Sequence, residues 1–311
     1  MKKVLITDDV HPLLIEGLQT ASYVCVYQPN ITLQEVHDVI ADYCGLIINS
    51  KIIVDKVLLD KATQLRFVAR LGSGMEIVDK AYAAQRNVAV ISSPQGNSNA
   101  VAEHALGMLL ALTNNIVRAD RQVRQHSWQR EFNRGIELKG KTIGIIGFGH
   151  TGAAFAKKLA GMEVRVVAYD KYKQSYATAF DYVTEASLKE VLQQSDVISL
   201  HLPLTAETQY MVTSSWLAKC KAGVIIINTS RGNIVHTADV LAALRSGLVR
   251  GACLDVFENE KPNTFTEQEN QLYTELYRLD NVILTPHIAG WTHESKQLLS
   301  KILLDEIVRI D

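Results

Sequence analysis

The chain has 311 residues, 47% hydrophobic and 21% charged, with a formal net charge of −1. That length accommodates two domains and a sizeable core, and the balanced charge gives no electrostatic case for a nucleic-acid or anionic-membrane partner. No apolar run approaches the ~18 residues of a membrane span, and the opening "MKKVLITDDV" lacks the apolar core of a signal peptide, so a cytoplasmic location is expected.

From the first residues onward, short β-branched runs alternate with amphipathic segments. The runs are "KVLIT", "YVCVY", "GLIINS", "RFVARLG" and "VAVISS", then "KTIGIIG", "VRVVAYD", "DVISLHL", "GVIIINTS", "GACLDV" and "NVILTPH". Helical patterns fall between them, as in "TLQEVHDVIADY" (32–43), "ADVLAALRSG" (238–247) and "TELYRL" (274–279). Continuous apolar strands separated by helices predict parallel sheets covered on both faces. Eleven runs exceed one ordinary sheet of ~4–6 strands, so two α/β domains are expected. Residues 98–125 read as one long helix whose apolar first half is buried in a core or a subunit interface. The last helix, 291–309, carries Leu298, Leu299, Ile302, Leu303 and Ile307 as a stripe that must pack on something. The chain ends there, with no appended regulatory domain expected. Cys25, Cys44, Cys220 and Cys253 are far apart and form no CxxC; buried free thiols are expected, and no metal site.

The stretch "TIGIIGFGHTG" places Gly147, Gly149 and Gly152 between a predicted strand and a predicted helix. There the first glycine permits the tight turn, the second a close pyrophosphate and the third close helix–strand packing. Free N–H groups and the helix dipole at that point favour phosphate. The next strand run ends in Asp170, a carboxylate able to accept from both adenosine ribose hydroxyls and to repel a 2′-phosphate, which predicts NAD rather than NADP. Lys171 and Lys173 lie close enough to soften that preference. A mere tight turn beside an unrelated surface Asp is the bland alternative.

Polar residues just after the later strand runs are the candidates for chemistry, because ligands of open α/β sheets lie at the carboxyl ends of the strands. They are His201 in "SLHLPLT", Arg231 in "IINTSRGN", Asp255, Glu258 and Glu260 in "CLDVFENEKP", and His287 in "LTPHIAG". An arginine grips a carboxylate in a fork. A histidine takes a hydroxyl proton as hydride leaves, and an acid orients that histidine. Spacing alone leaves His201 and His287 with equal claims, and Glu258 and Glu260 likewise.

In their order, "GFGHTG", Asp170, "HLPLT", "NTSRG", "LDVFENE" and "TPHIAG" resemble the D-isomer-specific 2-hydroxyacid dehydrogenases, in particular their phosphoglycerate dehydrogenase-like branch. The likeness extends over almost the whole chain, through "LGSGMEIVD" (71–79) and "NSNAVAEHALGMLLAL" (97–112). It implies a Rossmann cofactor domain (98–287) inserted into a flavodoxin-like substrate domain (1–97 and 288–311), an NAD-dependent exchange between a D-2-hydroxy acid and its 2-keto acid, and a homodimer. Matched to the family motifs, Arg231 holds the substrate carboxylate, His287 exchanges the proton, and Glu260 pairs with it, leaving Glu258 a bystander. Asp255 falls beside the nicotinamide. His150, Thr151, His201, Thr229, Ser230 and the backbone from His287 to Gly290 match cofactor contacts, and Gly72, Ser73 and Gly74 match the loop whose amides meet the substrate carboxylate. One departure concerns the substrate: Asn49 stands where phosphoglycerate enzymes commonly carry an arginine for the distal phosphate. Lys51 and Arg70 are the nearby basic residues that could replace it. 3-Phosphoglycerate, an unphosphorylated keto acid such as glyoxylate or hydroxypyruvate, and a non-catalytic dinucleotide sensor are therefore the three readings to separate.

Overall fold

The computed structural model describes residues 2–310. The chain divides into two compact units, one formed by the residues up to Ser98 with those from Trp291 onward, the other by Asn99–Gly290.

The first unit holds β1 (Lys2–Ile6), β2 (Tyr23–Tyr27), β3 (Gly45–Ile48), β4 (Phe67–Arg70) and β5 (Ala89–Ser92). They form one parallel sheet in the order β2-β1-β3-β4-β5, the flavodoxin-like order. Alternate side chains go to opposite layers. Val4, Ile6, Ile47, Phe67 and Ala69 pack with Leu14 and Leu18 of helix Pro12–Thr20 and with Leu299, Leu303 and Ile307 of the last helix. Leu5, Leu46, Ile48 and Val68 meet Val36, Leu58, Leu59 and Ala83 of three helices on the other face. Because both faces are covered, these strands read as unbroken apolar runs. The last helix spans His293–Arg309, started by a capping box between Thr292 and Ser295. Of its expected stripe, Leu299, Leu303 and Ile307 reach the core, whereas Leu298 is 44% exposed and Ile302 is only half-buried.

The second unit holds β6 (Thr142–Ile146), β7 (Arg165–Tyr169), β8 (Val183–Glu185), β9 (Val197–Leu200), β10 (Val224–Asn228), β11 (Val249–Leu254) and β12 (Val282–Leu284). Their order, β12-β11-β10-β9-β6-β7-β8, is parallel throughout. Chain order reverses between β6 and β9, which is the switch point of a Rossmann sheet. The three-residue edge strand β8 is an addition to the eleven expected runs; it is too short to give a periodic signal.

Residues 98–125 form two helices, Ser98–Thr113 and Ile116–Arg124, bent by 62°. Asn115 adopts a left-handed conformation (φ +56°) at the break, one that Asn tolerates better than most residues. The apolar first half packs in its own unit's core, with Ala102, Ala105, Met108 and Leu109 against Ile143, Ile145, Ile225 and Ile227. The second helix buries none of its residues. Helix Glu267–Tyr277 begins seven residues earlier than its apolar pattern indicated, where Thr266 and Glu269 form a capping box. All four cysteines are free, but only Cys253 is fully buried. Burial pushes its thiol up, and pushes that of Cys220 up to about 12, so both stay protonated. The second crossing between units falls after Gly290 rather than after His287. Residues 288 and 289 are held to the second unit by hydrogen bonds to Asp255.

Candidate functional site

The glycine turn joins β6 to helix His150–Leu159. Gly147 has φ +89°, and a Cβ there would overlap the carbonyl of His201. A Cβ on Gly152 would overlap the carbonyl of Gly147, whereas one on Gly149 would meet open space. The first and third glycines therefore let the chain close on itself, and the second leaves its face clear. Gly149 caps the helix without a side-chain hydrogen bond, so the first amides point outward, as a pyrophosphate site requires. His150 is exposed at that start and Thr151 half-buried.

Asp170 follows β7 directly. Its carboxylate accepts from the amides of Phe148 (2.8 Å), Tyr172 (3.0 Å) and Lys173 (3.1 Å), which ties the end of β7 to the glycine turn. An ionised carboxylate has about four acceptor positions, so one remains for a ribose hydroxyl. The neighbouring lysines are engaged elsewhere: Lys171 pairs with Glu207 at 2.6 Å, and Lys173 donates to the Phe148 carbonyl at 2.9 Å. His201 lies under the turn. Its Nε2 is 2.9 Å from Ser199 Oγ, its ring lies against Phe155, and its Nδ1 is buried without a partner among the described residues. Burial depresses its pKa to about 4, so the ring is neutral. It packs beneath the turn, between Ser199 and Phe155.

The turn after β10 is shaped by Asn228, fully buried, whose side chain accepts from the Ser230 amide (3.1 Å) and donates to the Arg231 carbonyl (2.9 Å). Such Asn bonding imitates a backbone turn and aims the next residues out of the strand. Ser230 spends its hydroxyl within the protein, donating to the Leu200 carbonyl and accepting from the Leu202 amide. Thr229 Oγ1, by contrast, is buried with no partner among the described residues, a polar atom that a ligand group would satisfy. Gly232 follows; a Cβ there would overlap the Phe257 carbonyl, so its absence lets this turn lie directly on the loop after β11.

That contact brings together residues far apart in sequence. His287 Nδ1 lies 2.8 Å from Glu260 Oε2. Burial raises the Glu260 carboxyl, but the hydrogen bond and charge of His287, the Phe257 amide and nearby Arg231 more than offset this, leaving it below the ordinary carboxylate range. The imidazole is about half exposed (47%), and its Nε2 has no partner among the described residues. Glu258 turns the other way and accepts from the Thr237 amide at 2.7 Å, capping helix Thr237–Ser246.

Asp255, matched to the place beside the nicotinamide, lies inside the protein. Its side chain is fully buried and its carboxylate accepts from the amides of Ile288 and Ala289, both at 2.9 Å, and from the Thr285 hydroxyl at 2.5 Å. Its carbonyl accepts from the His287 amide at 2.7 Å. Asp255 thus clamps the loop that carries His287 and ends at Gly290, and His287 itself sits in the left-handed region with φ +56°. Non-glycine residues in that region cluster where function requires them and surrounding bonds hold them. Thr285 and His104, whose Nε2 is 3.0 Å from Thr285 Oγ1, complete the clamp. Sequence reading misses both, because no local pattern marks a bond across 181 residues.

In the first unit, the amide of Gly72 is consumed by the Arg70 carbonyl (3.0 Å) and Ser93 Oγ (3.3 Å). The open donors of that loop are therefore Ser73 and Gly74, whose amides have no partner among the described residues. Lys51, expected at the substrate, donates to the Pro29 carbonyl. Arg70 Nε donates to the Asn49 carbonyl at 2.8 Å, and its guanidinium lies 3.9 Å from Glu76.

Residues 106–289 match the model of the D-isomer specific 2-hydroxyacid dehydrogenase, NAD binding domain. The chain is 33% identical over 308 residues to a D-3-phosphoglycerate dehydrogenase of Archaeoglobus fulgidus, which covers 99% of this chain and 57% of that relative. It is 32% identical over 284 residues to a hydroxypyruvate reductase of Thermotoga maritima, covering 91% and 90%. Among solved structures, D-lactate dehydrogenase from Aquifex aeolicus complexed with NAD and lactic acid superposes with a TM-score of 0.83 at 28% identity, covering 99% of this chain and 94% of that one. The chain thus spans little more than half the length of the phosphoglycerate dehydrogenase that it matches. With the glycine turn, the carboxylate after β7 and the matched segment all in one parallel-sheet unit, the chain belongs to the D-isomer-specific 2-hydroxyacid dehydrogenase family, and residues 106–289 are its NAD-binding domain.

Proposed function

We propose that this protein is an NAD-dependent oxidoreductase that interconverts a D-2-hydroxy acid and its 2-keto acid. The observation that carries the reading is the 2.8 Å bond between His287 and Glu260 on a loop held by a buried carboxylate. The bound nicotinamide supplies or takes up the hydride. Glu260 holds the proton on Nδ1 and so leaves Nε2 as the atom that exchanges a proton with the substrate. In the oxidation, the hydroxyl proton passes to Nε2 as the carbon gives up hydride, and the new imidazolium is stabilised by Glu260. Reduction returns the same proton to the oxygen. Arg231 offers the planar fork that fits a carboxylate.

The finer substrate reading is D-3-phosphoglycerate and its keto acid, supported by the likeness to the Archaeoglobus relative. Asn49, with Lys51 turned to Pro29, favours a second reading in which the keto acid carries no phosphate, as in hydroxypyruvate or glyoxylate. Measuring kcat/KM with NADH for hydroxypyruvate and for its phosphorylated form decides between them. A preference of tenfold or more for either form selects that reading, and no NADH consumption with any keto acid overturns both in favour of a dinucleotide sensor. We further propose a homodimer, since Ile116, Val117, Val123, Trp128 and Phe132 are all at least 50% exposed on and after helix Ile116–Arg124. Sedimentation analysis giving a monomer at micromolar concentration refutes it.

A further inference from the structure

His104 sits in the segment 97–112, on a helix that is otherwise mostly apolar. Its Nε2 lies 3.0 Å from Thr285 Oγ1 and 3.7 Å from Asp255 Oδ1. Chemistry fixes the direction of these bonds. Both Asp255 oxygens act as acceptors, and Thr285 has a single hydroxyl proton, on an oxygen 2.5 Å from that carboxylate. The proton therefore points at Asp255, and a lone pair of Thr285 faces His104. His104 must donate to it from Nε2, which selects one tautomer through the network. The donors run in one direction, from His104 through Thr285 to Asp255 Oδ1, the oxygen that also holds the Ile288 amide, while Oδ2 holds that of Ala289. Without His104, the hydroxyl could rotate toward Met108 Sδ, 3.8 Å away, and release one side of the carboxylate.

We infer that His104 is a positioning residue for the reaction: by donating through Thr285 it locks Asp255, and so keeps His287 in its left-handed conformation with Nδ1 on Glu260. This rests on the assignment of His287 as the proton-exchanging group. Such a relay strengthens each bond along its length, and a small displacement of the reacting group lowers turnover more than it lowers binding.

The test compares His104→Ala, His104→Gln, Thr285→Val and the double variant His104→Ala/Thr285→Val with NADH and whichever keto acid the wild type reduces. His104→Ala should lower kcat about 10- to 100-fold, with KM and NADH affinity within about twofold. His104→Gln, which restores a donor near the same point, should keep most of kcat. Thr285→Val should match His104→Ala, and the double variant should be no slower, since the two act through one chain. Independently of turnover, the hydrogen-bonded Nδ1–H proton of His287, identified by its loss in Glu260→Gln, should be sharp in the wild type and in His104→Gln. It should broaden or shift in His104→Ala. Wild-type kcat with an unmoved resonance in His104→Ala overturns the inference. So does an equal loss in the Ala and Gln variants, or a lowered melting temperature with kcat intact. If the wild type reduces no keto acid, the functional assignment fails, while the resonance still decides the positioning role.

Discussion

Two turns at the carboxyl edge of the second sheet reach positive φ by opposite means. At Gly147 the chain adopts φ +89° because a side chain is missing, and the space it would fill is occupied by the His201 carbonyl. At His287 the chain adopts φ +56° with a full imidazole, because Asp255, Thr285 and two amides hold it there. The first device is written locally in the chain and serves a ligand that approaches the backbone. The second is assembled from distant residues and holds one side chain in one orientation.

The largest effect expected from breaking this contrast is at the imidazole: His287→Ala should lower turnover by about 10²–10⁴-fold while NADH binding, followed by fluorescence, persists. Near-normal turnover would remove His287 from the chemistry. Asp255→Asn should come next. Asparagine cannot accept from both loop amides, and losing charge-assisted bonds at a buried site should cost about 3 kcal/mol, read as a lower denaturant midpoint together with reduced kcat. On the glycine side, His201 makes the turn sensitive to acid. Its pKa is about 4 in the fold against 6.5 for an ordinary histidine, so between those values the unfolded chain binds more protons. The contribution is complete above pH 6.5 and is lost as pH falls toward about 4, at most about 3 kcal/mol. His201→Gln should flatten that part of the stability profile, and an unchanged slope would contradict the buried neutral ring. Gly147→Ala should weaken NADH affinity by roughly 10–100-fold, equivalent to the 1–3 kcal/mol of an overpacked contact, with kcat at saturation nearly kept. The smallest effect is at Glu258→Ala, which removes a cap worth about 1 kcal/mol and should leave kcat within twofold; a large loss of turnover would show that the wrong glutamate was paired with His287.

The same contrast explains what the amino-acid sequence discloses. Gly147, Gly149, Gly152 and Asp170 are legible because each glycine answers a local steric demand between a strand and a helix. The two parallel sheets are legible because strands covered on both faces must be continuously apolar. Among the polar residues at strand ends, the chemistry of single side chains leaves His201 level with His287 and Glu258 level with Glu260; the family likeness separates them. The geometry gives each its place, with Glu260 on His287, Glu258 on the Thr237 amide, and His201 beneath the turn. The clamp of His104, Thr285 and Asp255 was not legible, since bonds spanning 30 and 181 residues leave no period and no motif. The bend at Asn115 was hidden for a different reason: two asparagines interrupt a pattern that is apolar before them and amphipathic after them.

Gly232 has a consequence for how this site can change. The turn bearing Arg231 rests backbone to backbone on the loop leading to Glu260, so the backbone positions of the two segments depend on each other. Lengthening either segment, or adding even a methyl group at 232, would shift both. Changes of length or side-chain volume are therefore cheapest at positions outside that joint.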